Sequence, residues 1–222
     1  MQLISTLNSW DTNLFLSING CNSPFFDGFM YGVSYKLTWI PLYLSVLYIV
    51  IKQWKKESIW VILSLVLCIV ISDQISSGLI KNLVQRLRPS HVEQLKGVIH
   101  LVNNYSGGQY GFVSSHSANA VGFALLSSLL FKRRTYTISI FTWALLTAYS
   151  RIYLGVHYPL DVLGGALVGT LAALFCFWLL KRYFSNVFEQ AIDANKPLIP
   201  VWILTLSFVG IIVYSFVFLV MQ

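Results

Sequence analysis

Long apolar runs separated by short polar stretches dominate the chain, and this pattern predicts an all-α membrane protein. A helix that crosses a bilayer needs about 20 mainly apolar residues. Six runs approach or exceed that length, which predicts a six-transmembrane-helix bundle. The six predicted spans are residues 30–51, 58–80, 115–131, 136–154, 159–180 and 199–221.

The N-terminal segment, residues 1–24, has a different pattern. Apolar residues recur at helical spacing, with polar residues between them. They are Leu3, Leu7, Trp10, Leu14 and Ile18. Such an amphipathic helix lies in the membrane interface or packs as a short helix on the bundle, and the pattern favours neither.

The longest polar stretch covers residues 86–114 and is rich in Gly, Asn, Ser and Gln. It forms a long outer loop between the second and third predicted spans. A loop of this length is usually functional or disordered. Because no internal repeat and no low-complexity linker is present, we expect residues 1–222 to form a single integral-membrane domain.

Composition supports the membrane interpretation. Only 10% of the residues are charged, against roughly 25% in an ordinary soluble protein. The hydrophobic fraction of 56% excludes a disordered chain. Three scattered cysteines are too few for a disulfide framework or a zinc site. We expect membrane lipids as the surroundings, with no nucleic acid and no obligatory protein partner.

The basic residues predict the orientation of the bundle. Nine of the 15 lie in the loops that six spans place on one side. These nine are Lys52, Lys55, Lys56, Lys132, Arg133, Arg134, Lys181, Arg182 and Lys196. The positive-inside rule makes that side cytoplasmic, so the long loop and both termini face outward.

The polar residues at the span ends converge on the outward side. Even-numbered spans end there and odd-numbered spans begin there, so their terminal residues share one membrane surface. The chemistry-bearing residues at these ends are Lys81, Arg88, His116, Arg151, His157 and Asp161. Ionisable groups at span ends indicate a functional site by default.

The spacing of the cations predicts a phosphate clamp. Lys81 and Arg88 are seven residues apart, which on one helix places them on one face about 10 Å apart. Pro89 would then end that helix. Arg151 adds a third cation, and Arg and Lys together bind phosphate oxygens. Basic residues at span ends also commonly snorkel, which would explain Lys81 by itself.

Two histidines complete the predicted site. His157 and Asp161 are four residues apart, and Pro159 places Asp161 in the first turn of a helix. That carboxylate can accept a hydrogen bond from the His157 ring and leave the other ring nitrogen free to attack. His116 follows Ser114 at the start of a predicted span, where it could act as a general acid. Each histidine alone is more often structural; three nearby cations favour the functional interpretation.

Three segments make the sequence resemble the type 2 phosphatidic acid phosphatase superfamily of membrane lipid phosphatases. The family's first motif is Lys, six residues, then Arg-Pro, as in residues 81–89. The third is Ser-Arg, five residues, His, three residues, Asp, as in residues 150–161. The second motif, Pro-Ser-Gly-His, reads Val-Ser-Ser-His at residues 113–116, so Val113 and Ser115 replace the family's Pro and Gly.

The resemblance implies a mechanism. His157 would attack phosphorus and form a phosphohistidine, Asp161 would orient it, and His116 would protonate the leaving oxygen and then activate water. No metal and no cofactor is implied. The residues that would bind the phosphate are Lys81, Arg88, Ser114, Ser115, Ser150 and Arg151.

The resemblance also implies a substrate class and a location. It points to a bacterial enzyme of the inner membrane whose site faces the periplasm and cleaves a lipid monophosphate or diphosphate. Undecaprenyl diphosphate and lipid A are the leading substrates, ahead of phosphatidylglycerol phosphate and phosphatidic acid. The alternative is a non-catalytic anion-binding protein or a transporter, although a transporter would more often show inverted repeats.

The predicted orientation can be tested with a topology reporter. A reporter fused in the loop at Lys132–Arg134 should behave as cytoplasmic, and one fused in the loop at 86–114 should behave as exported. Alkaline phosphatase and a fluorescent protein report the two sides. Export of the 132–134 fusion would contradict the orientation.

Overall fold

The computed structural model describes residues 2–189 and 198–221, without the side chains of residues 2–4. Lys196, one of the nine orienting cations, lies outside the described residues. Within them the chain forms only helices, short turns and one isolated bridge, which confirms the all-helical prediction. The ten α-helices of the described part are α1 (Gln2–Asn19), α2 (Pro24–Ser34), α3 (Ile40–Trp54), α4 (Ser58–Asp73), α5 (Lys81–Val84), α6 (Ser115–Phe131), α7 (Arg134–Tyr153), α8 (Pro159–Tyr183), α9 (Asn186–Glu189) and α10 (Ile199–Val220).

The first predicted span, 30–51, is wrong as a single helix. Helix α2 ends at Ser34, Tyr35 is extended, and a 3₁₀ turn leads into α3 at Ile40. Two side chains stabilise this break by satisfying carbonyls at the end of α2. Thr38 Oγ1 donates to Gly32 O at 3.0 Å, and Trp39 Nε1 donates to Val33 O at 2.8 Å.

The second predicted span continues beyond its expected end. Helix α4 passes through a π-helical segment, Gln74–Ile80, into α5. A π-helical turn holds more residues than an α-helical turn. Each extra residue rotates the side chains that follow by about 100° around the helix axis relative to a regular α-helix. Helix α5 then ends at Val84 because Gln85 adopts a left-handed conformation, with φ of 49°. The prediction that Lys81 and Arg88 share one helix is therefore wrong: Arg88 lies in the following loop.

Three helical stretches of the described chain are long and apolar enough to cross a membrane. They are residues 36–84, 159–183 and 199–220, with mean hydropathies of 2.2, 2.1 and 2.6. The first contains α3 and the continuous stretch from α4 to α5, because Lys55, with φ of 47°, interrupts the helix between α3 and α4. Tyr43 and Ile69 line a common cavity near one end of this pair. The count of six spans stays a prediction.

Helices α6 and α8 form the centre of the bundle. Most residues of α6 are buried, and several of them are serines, so this helix is surrounded by protein. Gly165 and Gly169 on α8 allow the close approach: a Cβ atom would collide with Ser114 O at the first position and with Ala118 O at the second. Small residues four positions apart thus let the two helices pack tightly.

Helix α1 packs on the bundle through one face. Phe15 is fully buried and meets the Tyr158 ring edge-on, with centroids 5.4 Å apart. Leu7 and Trp10 on another face are exposed. Helix α1 therefore contacts the bundle and also leaves an apolar face exposed, and its place in the membrane interface stays a prediction.

The long loop at 86–114 is folded against the bundle. His100 anchors it at two points: its amide donates to Asn19 Oδ1 at 2.8 Å, and its Nε2 lies 2.8 Å from Asp27 Oδ1. Tyr153 also donates to Asp27 Oδ1, at 2.7 Å. These contacts join the loop to α1 and α2, and α2 to α7, at the end of the bundle that carries the loop.

Two matched glycine variants test the central helix contact. Gly169→Ala should lower the free energy of unfolding by about 1–3 kcal/mol, because its Cβ would overlap the α6 backbone. Gly210→Ala on α10 meets nothing within 4 Å and should be neutral or stabilising by up to about 1 kcal/mol. Thermal unfolding in detergent measures both. Equal melting temperatures for the two variants would contradict the close packing.

Candidate active site

The structure brings the predicted ionisable residues together at one end of the bundle. The charges of Arg88, Arg151 and Lys81 all act on His157. Arg88 and Arg151 are 8% and 2% exposed, and Asp161 is fully buried. Buried charges of one sign are unfavourable unless each finds partners, so the partners decide the geometry.

His157 lies in the turn between α7 and α8, with Asp161 one helical turn later. Its Nδ1 is 3.4 Å from Asp161 Oδ2, a close ion-pair distance, and the Gly111 backbone also acts on the ring. Burial and the neighbouring cations lower the pKa of His157 well below the usual histidine value. The imidazole is therefore neutral at neutral pH.

Asp161 lies in the first turn of its helix, as the sequence predicts. Helix α8 starts at Pro159, and the Asp161 Oδ2 atom accepts a hydrogen bond from the Tyr158 amide at 3.0 Å. The Asp161 carbonyl also accepts from the Ser114 amide at 2.8 Å. This backbone link ties the start of α8 to the start of α6.

Arg88 is held in the loop by backbone carbonyls. Its Nε donates to Tyr110 O at 3.1 Å and its NH1 donates to Val156 O at 3.3 Å. The backbone of the preceding Leu87 pairs with Tyr110 in the isolated bridge. These contacts, and no helix, place the guanidinium at the site. Burial and the charge of Arg151 lower the pKa of Arg88.

Arg151 has two side-chain partners that no sequence motif predicts. It donates to Ser34 Oγ at the end of α2 and to the Tyr105 hydroxyl at 3.1 Å. Burial raises the pKa of Tyr105, but the Arg151 charge and hydrogen bond, with the Arg88 charge, outweigh it and lower the pKa. No local signal marks Ser34 or Tyr105, because both reach the site from distant segments.

The start of α6 supplies the second cluster of predicted residues. Lys81 Nζ donates to Ser115 Oγ at 3.5 Å. Ser114 is the N-cap of α6, and its Oγ accepts from the Ser117 amide at 3.4 Å. His116 lies in the first turn, where the charges of Arg151 and other basic groups act on it.

Ser150 is buried, and its hydroxyl donates to Thr147 O at 2.7 Å within α7. It does not line the cavities described below, so its contact favours support of the helix. Asp73 accepts a 3.5 Å hydrogen bond from Asn119, which joins α4 to α6.

Two cavities meet at His116. The larger has a volume of about 410 Å³ and includes Arg151 and Tyr105 in its lining. The second, of about 280 Å³, includes Ser115 and Asp73. Ser34 and Lys36 line both. An open, mixed polar and apolar space therefore lies beside the general-acid candidate.

A third cavity extends this space between α2 and α10. Its volume is about 400 Å³, and it shares Tyr31 and Tyr35 with the larger of the two cavities at His116. Gly210, Ile211 and Tyr214 line its α10 side. Within residues 2–189 and 198–221, no three His, Cys, Asp or Glu side chains cluster in a way that could hold a metal ion.

The comparison with known families decides the classification. The profile of the PAP2 superfamily matches residues 57–185, which include all three motifs. The chain belongs to the PAP2 superfamily. Among curated PAP2 relatives, it is 38% identical to the "Lipid A 4'-phosphatase" of Bacteroides thetaiotaomicron over 97% of this chain and 99% of the relative. It is 37% identical to the "Lipid A 4'-phosphatase" of Porphyromonas gingivalis over 75% of this chain and 71% of the relative.

Solved PAP2 structures share the fold. Aquifex aeolicus LpxE superposes with a TM-score of 0.61 at 26% identity, covering 75% of this chain and 94% of that one. The PAP2-type phosphatidylglycerolphosphate phosphatase of Bacillus subtilis gives a TM-score of 0.60 at 22% identity, over 86% and 90% of the two chains. With its apolar helices, the chain is thus a multi-pass membrane protein of the PAP2 superfamily.

The lowered pKa of His157 predicts how stability depends on pH. The unfolded chain binds a proton at this residue below about pH 6.5, whereas the folded protein does not. Stability should therefore fall as pH decreases from 7.5 to 5, by up to about 1.4 kcal/mol per pH unit below 6.5.

Two variants isolate the contribution of His157 to the pH dependence of stability. His157→Asn should lose less stability between pH 7.5 and pH 5 than the wild type in thermal unfolding. His91→Asn, which changes a histidine in the long loop, is the control and should resemble the wild type. An unchanged pH dependence in His157→Asn would show that the buried imidazole is not responsible.

Proposed function

We propose that this PAP2 protein is a membrane phosphatase that removes phosphate from lipid A. The observation that carries the phosphatase activity is the buried His157 imidazole, 3.4 Å from Asp161 and surrounded by cations. A nucleophile without a proton on its attacking nitrogen, next to charges that bind phosphate oxygens, suits phosphoryl transfer.

The relatives support lipid A among the lipid phosphates. The two lipid A 4'-phosphatases match 97% and 75% of this chain at 38% and 37% identity. An undecaprenyl-diphosphatase of Sulfolobus acidocaldarius is 29% identical over 72% of this chain. Lipid A is therefore the first substrate to test and undecaprenyl diphosphate the second.

Phosphate binding uses the three cations of the site. Lys81, Arg88 and Arg151 come from a helix end, a loop and another helix, so they can surround a phosphoryl group from three directions. The Ser115 hydroxyl, already in contact with Lys81, adds a donor at the start of α6. We assign Ser114 and Ser150 to supporting roles, because their hydroxyl contacts lie within their own helices.

The first chemical step transfers phosphate to histidine. His116 takes a proton as the anionic phosphate binds beside it. His157 Nε2 then attacks phosphorus as the bond to the lipid oxygen breaks, and His116 gives this proton to that oxygen. Asp161 stabilises the imidazolium that develops on His157. The product is the dephosphorylated lipid and a phosphohistidine.

The second step releases inorganic phosphate. His116, now neutral, takes a proton from water as the water oxygen attacks phosphorus and the phosphorus–nitrogen bond breaks. The cations neutralise charge on the phosphoryl oxygens in both steps. Since they supply this charge, the proposed steps do not require a metal ion.

An amphiphilic substrate fits the cavities around His116. The phosphate would lie at the Arg151 side of the larger cavity, and the space between α2 and α10 offers an apolar continuation toward the bilayer. In the proposed topology six spans cross the bacterial inner membrane, with this end at the periplasmic surface. The basic loops at the other end support that orientation.

A phosphate-release assay tests the function. Purified protein in detergent should release phosphate from lipid A faster than from undecaprenyl diphosphate, phosphatidylglycerol phosphate or phosphatidic acid, and should do so in EDTA. His157→Ala should abolish release, and His116→Ala should lower it by about 10²–10⁴-fold. An alkaline denaturing quench with labelled substrate should trap a phosphohistidine in the wild type.

The control is His91→Ala, which removes a histidine of the loop and should keep full activity. Release by His157→Ala at the wild-type rate would overturn the mechanism. Faster phosphate release from undecaprenyl diphosphate than from lipid A would make undecaprenyl diphosphate the proposed substrate. Binding without release from any lipid would favour the non-catalytic alternative.

A further inference from the structure

Arg86 lies two residues before Arg88 in the sequence, but its side chain has different partners. Its NH1 donates to Asp161 Oδ1 at 2.9 Å, and its NH2 donates to Asp11 Oδ2 at 2.7 Å. It does not line the cavities at His116. One guanidinium therefore joins a residue of the proposed machinery to a residue of α1.

The contacts of Asp161 show what Arg86 does to it. Arg86 occupies Oδ1, while Oδ2 accepts from the Tyr158 amide and faces His157 Nδ1 at 3.4 Å. With one oxygen held on each side, the carboxylate cannot rotate without losing a charge-assisted hydrogen bond. The arrangement leaves only Oδ2 directed at the histidine.

Arg86 is itself fixed from two directions. Its guanidinium lies 4.0 Å from the centroid of the Tyr158 ring, and Asp11 holds its second nitrogen. Asp11 is fully buried, and its Oδ1 accepts from the Leu160 amide in the first turn of α8 at 2.9 Å. Both oxygens of this buried carboxylate are therefore engaged, Oδ2 by Arg86 and Oδ1 by the first turn of α8.

From these contacts we infer that Asp11 and Arg86 are positioning residues for catalysis, acting through Asp161 on His157. The inference rests on the proposed function and deepens it. It gives α1 a role at the site: the helix supplies the carboxylate that sets Arg86. Neither residue touches the phosphate.

A kinetic comparison distinguishes positioning from phosphate binding. Arg86→Gln should lower kcat about 100-fold, as expected when a reacting group is misplaced by about 1 Å. KM for the lipid and inhibition by inorganic phosphate should change little. Arg86→Lys should recover part of kcat, since lysine keeps the charge but cannot bridge two carboxylates. Asp11→Asn should give a smaller fall in kcat than Arg86→Gln.

Combined variants test the path through Asp161. Adding Arg86→Gln to Asp161→Asn should cause little further loss, because the residue through which Arg86 acts is already disabled. Arg134→Gln is the matched control; this exposed arginine begins α7, about 26 Å along the helix from Arg151. It should retain wild-type kcat. Melting temperatures in detergent show whether each variant is folded.

Three results would overturn the inference. They are wild-type kcat in Arg86→Gln, a main effect on KM and phosphate inhibition, or a full additional loss in the Asp161→Asn background. If Arg86→Gln does not fold, kcat of Arg86→Lys and of Asp11→Asn is compared with the wild-type kcat. Wild-type kcat in both variants would then overturn the inference. Absence of phosphate release by the wild-type protein would instead reject the proposed function.

Discussion

The structure depends on holding several positive charges together in a buried site. Arg88 and Arg151 are almost inaccessible to water and act on each other as well as on His157. Such a cluster is stable only if every cation has fixed partners. Carbonyls of the long loop and the turn before α8 hold Arg88, and Ser34 and Tyr105 hold Arg151. The loop supplies two of these partners, the Tyr110 carbonyl and the Tyr105 hydroxyl.

The central helix contact brings the two histidine-bearing segments together. Glycines on α8 let its backbone approach that of α6, and the Ser114 amide donates to the Asp161 carbonyl across the contact. His116 and His157 are thereby carried on two joined helix starts. A side chain at either central glycine would separate these starts, so packing deep in the bundle controls geometry at its end.

The break between α2 and α3 serves the site as well. A continuous helix through residues 30–51 would carry the chain past the cluster. Instead α2 ends at Ser34 beside Arg151, and the following turn places Lys36 in the lining of both cavities at His116. The break therefore contributes one partner for a buried cation and one further charge near the cavity.

Sequence alone determined the all-helical character, the family motifs and the convergence of six chemical groups on one side. It also predicted the bounds of α6, α7, α8 and α10 to within about three residues. These follow from long apolar runs and from spacings within about 12 residues, which local geometry controls. The tertiary structure decided that Arg88 lies in a loop, that Ser34 and Tyr105 hold Arg151, and that Asp11 and Asp161 share Arg86. Those contacts join residues 46 to 117 positions apart, and nothing in a local pattern specifies which distant polar group will compensate a buried charge.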